Sequence, residues 1–249
     1  MLDRSQSIPL YEQLKNIIEN KINNGELKAK DQLPSERELG EKYNISRITV
    51  RQAIALAEQE GLVKRVHGIG TFVVGPKIKQ ELQVVDTFQS TVEQQGLIAS
   101  TKLIKSNTIT SDFQLSRILN LEMMSKVFNM QLVGLGNDSP IVYYDTYFPY
   151  ELGVTVNEFA RKLMEENKPF STLDLYKMTQ NEYKPTHSEQ TIEAIDANDF
   201  MADVLHINPN FSLLKITSII YQGTIPLEYK EAFYRADKYK FFITRQINM

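Results

Sequence analysis

The first seventy-five residues change pattern so often, and at such short intervals, that few folds can hold them. After Pro9, Leu10, Leu14, Ile17, Ile18 and Ile22 recur at helical spacing until the turn signal Asn23-Asn24-Gly25. Ser35 followed three residues later by Glu38 is a capping box and predicts a second, short helix that Tyr43-Asn44-Ile45 breaks. Ser46 can cap a third helix with Val50, Ala53, Ile54 and Ala57 as its buried stripe, ending at Gly61. Leu62–Val66 and Thr71–Val74 read as strands joined by His67-Gly68-Ile69-Gly70.

Helix, helix, turn, helix, hairpin is the order of a winged helix-turn-helix. The third helix opens with Arg47, Thr49 and Arg51 exposed, and such a helix presents its N-terminal residues to base edges in the major groove. Arginine there can bond guanine through two donors, and threonine suits a base or a phosphate. Lys64, Arg65 and His67 on the hairpin could reach the neighbouring backbone, with Gly68 allowing close approach. Ser35 and Ser46 read first as helix caps, and Arg51 could instead pair with Glu36 or Glu58. The net charge of −3 does not oppose DNA binding, because it is unevenly spread. Residues 1–75 hold 11 basic against 10 acidic side chains, and the remainder holds 17 against 21.

The segments "LPSERELGEKYNISRITVRQAI" and "EGLVKRVHGIGTFV" resemble the DNA-binding head of the GntR family of bacterial transcription regulators. The resemblance implies DNA contacts from Arg37, Arg47, Thr49, Arg51, His67 and Gly68, with Ser46 and Ile48 as weaker candidates.

Residues 76–84 read as a linker and 85–249 as a second domain, in line with two domains for 249 residues. Thr87–Gln95 reads as a helix carrying Phe88 and Val92. Two hairpins are expected, Lys126–Leu135 with Ile141–Phe148 and Ser212–Tyr221 with Leu227–Tyr234. Helical patterns lie near Val156–Glu166 and Ala197–Leu205, with a strand at Ser188–Ile195. The hairpins align Pro140 on Pro226 and Tyr143 on Tyr229, a weak internal repeat pointing to a duplicated α+β unit around one antiparallel sheet. From about Val84 the chain resembles the effector-binding (UTRA) domain of the subfamily typified by histidine-utilisation repressors, which implies a chorismate lyase-like fold and dimerisation. "GTIPLEYKEAFYRADKYKFF", with Tyr234, Arg235, Asp237, Tyr239 and Phe241, carries that resemblance best.

The same resemblance implies a small polar effector, a sugar or sugar derivative, held by Glu228 and Tyr234. Period-2 alternation puts Glu228, Lys230 and Tyr234 on one strand face, with Leu227, Tyr229 and Phe233 on the other. Glu228 could instead simply pair with Lys230 or Arg235, and Tyr234 could be core. Leu132 and Gly134 stand where sugar-phosphate-responsive members often carry arginines, so an anion would need the helix start at Thr87, Gln89 and Ser90.

With no cysteine and with His67, His187 and His206 far apart, no metal or cofactor site is expected. No apolar run can span a bilayer, and the N-terminus lacks a signal-peptide pattern, so a cytoplasmic protein is expected. No general acid/base pair or activated nucleophile favours an enzyme, although the second fold is shared with a lyase. A constitutive DNA-binding protein without a ligand is the other alternative. The expected partners are double-stranded operator DNA, a small-molecule effector and a second copy of the chain.

Overall fold

A computed structural model describes residues 2–4, 8–74, 77–82, 87–180 and 182–246. The chain divides into two compact units, Met1–Lys77 and Ile78–Met249. In the first, α1 (Leu10–Asn23), α2 (Glu36–Tyr43) and α3 (Arg47–Gln59) precede a hairpin of β1 (Val63–Val66) and β2 (Gly70–Val73). Ser35 caps α2 in the capping box with Glu38, and Asn44 closes it in the left-handed region (φ 51°). Leu14, Ile18 and Ile22 of α1 pack with Val50, Ala53, Ile54 and Ala57 of α3, and Leu33, Leu39, Val63 and Val73 complete the core. Residues 30–33 run beside β2: the Lys30 and Leu33 amides donate to the Val73 and Thr71 carbonyls, and the Val73 amide to the Asp31 carbonyl. That pairing ties the segment before α2 to the wing.

The second unit is built on a six-stranded antiparallel sheet. Its strands are β4 (Ala99–Thr110), β5 (Lys126–Gly136), β6 (Ser139–Pro149), β7 (His187–Asp196), β8 (Ser212–Gln222) and β9 (Ile225–Arg235), in the spatial order β4-β5-β6-β9-β8-β7. The helices are α4 (Phe88–Glu93), α5 (Phe113–Ile118), α6 (Tyr150–Glu165), α7 (Thr172–Met178) and α8 (Asp199–Leu205). One face of the sheet packs on α6 and α7 through Phe128, Met130, Phe148, Leu152, Val156 and Leu175. The other packs on α8 through Val133, Tyr143, Leu205, Leu213 and Phe233.

The internal repeat is larger than two hairpins. The run β4-α5-β5-β6 is repeated as β7-α8-β8-β9 at the same offset that aligns Pro140 with Pro226. Asp112 and Asn198 cap α5 and α8 alike, each accepting from the amide three residues on. Asn120 and His206 after those helices both take left-handed φ values, 51° and 52°. Both hairpins also carry a bulge at the matching place, after Leu135↔Pro140 and after Tyr221↔Pro226. The repeat places β6 and β9 side by side at the sheet centre.

Two expectations need correction. The segment 76–84 is not all linker: Ile78–Glu81 forms β3, which pairs in parallel with β10 (Tyr239–Phe242), while residues 75–76 and 83–86 lie outside the described residues. Ile78 is buried, and that burial draws the segment into the second unit. Leu227 does not share a face with Tyr229 and Phe233; it packs in the α6–α7 cluster. The β9 bulge inserts one unpaired residue there and breaks the alternation.

Candidate functional site

In the first unit the outward side of α3 and the tip of the wing form the candidate nucleic-acid interface. The Arg47 side chain is exposed and bonds no other described residue. Arg51 donates through Nε and an Nη to Glu36 Oε2 (3.4 and 3.3 Å), and Arg37 lies 3.3 Å from Glu41. Both are surface pairs of exposed arginines, each worth under about 1 kcal/mol, so a phosphate can displace the carboxylate. Thr49 is less free: its hydroxyl lies 2.8 Å from the Ser46 hydroxyl, which also caps its amide at 3.1 Å. His67 and Gly68 are exposed at the wing tip, with Gly68 at φ +75° and open space where a Cβ would stand. Gln32 steadies this tip by donating to the Ile69 carbonyl (3.0 Å).

Arg65 is turned away from the tip. Its guanidinium donates to the Arg51 carbonyl (3.0 Å) and its amide to Glu58 (2.8 Å), tying the wing to α3. It positions the reading elements.

In the second unit a cavity of about 290 Å³ opens on the α6–α7 side of the sheet. Paired positions on four adjacent strands run across its floor as one polar row: Thr146, Lys230, Ser218 and Gln190. Its other end is apolar and aromatic, with Phe88, Leu132, Tyr144, Ile216 and Tyr234. The start of α7 (Ser171, Thr172) covers one side, and Gln80–Leu82 with Tyr239 and Phe241 cover another.

Of the five effector residues expected from the sequence, only Tyr234 lines this cavity. Burial pushes its phenol up to about 12, so it stays a neutral donor and acceptor; it packs against Tyr239 (4.5 Å) and Phe241 (5.0 Å). Glu228 lies behind the wall, fully buried. It accepts from the Tyr176 hydroxyl at 3.0 Å, and its other oxygen is 3.0 Å from Lys230 Nζ, which also reaches the Thr172 hydroxyl at 3.1 Å. Desolvation first, then the Glu228 charge, hold the Tyr176 phenol well above its ordinary value. Glu228 therefore sets Lys230 in place and does not touch the cavity.

Thr87, Gln89 and Ser90 do not line it either. Thr87 caps α4 by accepting from the Ser90 amide (3.1 Å), Gln89 donates to Glu93 (2.9 Å), and Ser90 accepts from Gln94 (3.1 Å). The reason is packing: Phe88 and Val92 are the buried face of this helix, so Phe88 meets the cavity and its neighbours turn along the surface. A Cβ on Gly134 would stand 2.6 Å from the Phe88 ring, so this ring needs glycine beneath it.

Sequence reasoning missed Thr146, Ser218, Gln190 and Gln80–Leu82. Thr146 had a readable signal, a hydroxyl on the same strand face as Tyr144, but the row appears only once strand register is known. Arg235 and Asp237 of the resemblance are structural: they pair through two bonds (3.1 and 2.9 Å), while Arg235 also reaches the Pro140 and Leu205 carbonyls.

Residues 10–73 match the gntR family of bacterial regulatory proteins, and residues 94–240 match the UTRA domain. The chain belongs to the GntR family. It is 31% identical, over 96% of each chain, to the HTH-type transcriptional repressor NagR of Bacillus subtilis. It is 25% identical, again over 96% of each, to the repressor of the mannosyl-D-glycerate transport/metabolism system of Escherichia coli. The crystal structure of PhnF from Mycobacterium smegmatis matches 96% of this chain and 99% of its own, with TM-score 0.65 and 22% identity. This GntR-family member is thus a transcription regulator, not an enzyme, with a DNA-binding head and an effector-binding domain. Among the described residues no helix is long and apolar enough to cross a membrane.

Proposed function

We propose that this regulator is a cytoplasmic, homodimeric repressor, released from its operator when an uncharged, hydroxyl-rich metabolite binds the cavity of the second unit. The carrying observation is the polar row Thr146–Lys230–Ser218–Gln190 beside an aromatic wall. Thr146 Oγ1 is buried without a partner among the described residues, so a ligand hydroxyl would satisfy it. Stacked aromatic and hydroxyl-bearing walls suit the two faces of a sugar ring. Two features argue against a phosphate: Lys230 is already neutralised by Glu228, and Leu132, with Gly134 under Phe88, occupies the other end. A relative that represses a mannosyl-D-glycerate system supports a sugar-derived effector.

Arg37, Arg47, Thr49, Arg51, His67 and Gly68 are the proposed DNA contacts of each head, and two heads on symmetric half-sites supply the specificity that one lacks. Coupling to the head runs through β3. Its residues Gln80 and Glu81, with Leu82 after it, form part of the cavity wall, and β3 begins where the first unit ends. A ligand that orders this wall alters the tether of each head, and half-sites of fixed spacing convert that into lost affinity. A thermal-shift screen of neutral sugars beside their phosphates tests the reading. A neutral sugar should raise the melting temperature; stabilisation by phosphates alone would reject the ligand class, and none by either would favour a ligand-free regulator.

A further inference from the structure

Half of the DNA contacts proposed above are arginines, yet the middle of the outward face of α3 carries no charge. The buried stripe of this helix is Val50, Ala53, Ile54 and Ala57. At about 100° per residue, the point opposite that stripe falls on Ile48 and Gln52, four residues and one turn apart. Arg47 and Thr49 lie on either flank, where a helix seated in the major groove meets the two phosphate backbones. Ile48 is 72% exposed, whereas Ile54 on the same helix is buried. A single exposed isoleucine is unremarkable elsewhere on a surface; here it stands at the first turn of the reading helix. The Gln52 side chain is exposed and bonds no described residue, whereas Arg51, next to it in the chain, is engaged with Glu36. Ala55, three residues beyond Gln52 on the same face, is exposed and small, which leaves room for the helix at that turn.

We propose that Ile48 and Gln52 read sequence directly, Ile48 packing on the 5-methyl group of a thymine and Gln52 bonding an adenine edge in a neighbouring base pair. The chemistry follows from the groove: thymine alone of the four bases offers a methyl there, and adenine alone pairs an acceptor N7 with a donor N6, which a carboxamide matches with both of its groups. The flanking arginines orient the helix and read guanine or phosphate, and this pair adds an A·T preference at the centre of each half-site. The proposal rests on the DNA-binding role of the head and not on any effector.

The test uses the full chain and a duplex selected by it from a randomised pool. Each thymine is replaced in turn by deoxyuridine, which removes only the 5-methyl group. One thymine per half-site should show about a fourfold loss, the value of one buried methyl. Ile48→Ala should bind the thymine and deoxyuridine duplexes alike, and Ile48→Val should keep part of the discrimination. Replacing a nearby adenine by 7-deazaadenine should weaken the wild type about tenfold and leave Gln52→Ala indifferent. Both side chains are exposed, so the variants should melt with the wild type. A selected site without thymine, a wild type indifferent to deoxyuridine everywhere, or an Ile48→Ala protein that still discriminates would each overturn the proposal.

Discussion

The two halves of this regulator carry their functional residues in opposite ways. The head gathers its proposed DNA contacts from two short segments, 37–51 and 67–68, and displays them on the surface. The effector domain gathers its cavity from 80–82, 88, 132–146, 170–173, 185–190, 216–220 and 230–241, and hides it. A reading surface needs exposed donors held by a rigid helix, which local caps supply. A cavity that tells one metabolite from another needs desolvated groups with few competing partners, which only distant strands brought into register can supply.

The largest effect that sharpens this contrast is expected at Glu228. Glu228→Leu should destabilise the second unit by about 3 kcal/mol, because it leaves Lys230 without its carboxylate and Tyr176 without its acceptor. Chemical denaturation should show that loss while the head melts as before; an unchanged transition would mean the Lys230 contact is incidental. Next come Arg47→Ala and Arg51→Ala, which should each weaken specific DNA binding by about 1–3 kcal/mol with no change in melting. Unchanged affinity for a selected duplex in both would remove α3 from recognition. Thr146→Val is smaller and of mixed sign. It removes a buried hydroxyl without a partner, so the free protein should be as stable or slightly more so, while a bound sugar should lose about 1 kcal/mol. Calorimetry with equal ligand affinity for both proteins would put the ligand elsewhere.

The smallest effect concerns the start of α7, which covers one side of the cavity. Burial raises the Asp174 carboxyl, but the Ser171 hydrogen bonds and Lys177 outweigh it and leave it below the usual carboxylate range. Its folded value is thus lower than its unfolded one, so its contribution is present at neutral pH and lost as pH falls through the folded value. Ser171→Ala should cost about 1 kcal/mol at neutral pH, and the gap from wild type should close in acid. A gap independent of pH would show that Asp174 is not the partner that matters.

How much of this was legible in the sequence follows the same division. Ser35, Glu38, Ser46 and Gly61 mark local events, and the three helices and the wing of the head fall where those residues place them. In the second unit the two hairpins were legible, but β4 was not: Ser100, Lys102, Lys105 and Asn107 share one sheet face, yet the unpaired Ile104 among them shifts the period-2 signal by one residue. The repeat showed itself faintly in the prolines and fully only in the caps Asp112 and Asn198. Tyr234 was legible because the strand pattern aimed it inward. Glu228 shares that face but is set behind Lys230 and Tyr176, and α7, which supplies Thr172 and Tyr176, announces itself only by the capping-box spacing Ser171–Asp174. Thr87, Gln89 and Ser90 were misplaced because a cap and two side-chain bonds along α4 already use them.

The central claim is that occupation of the cavity controls the head, and reciprocity tests it most directly. The full chain, free and bound to a duplex with two half-sites, is titrated by calorimetry with the neutral sugar that most raises its melting temperature. The sugar should bind the complex more weakly than the free protein, by the same factor by which it weakens the duplex, typically about 5- to 150-fold. Equal affinity for the free and the DNA-bound protein would contradict the account.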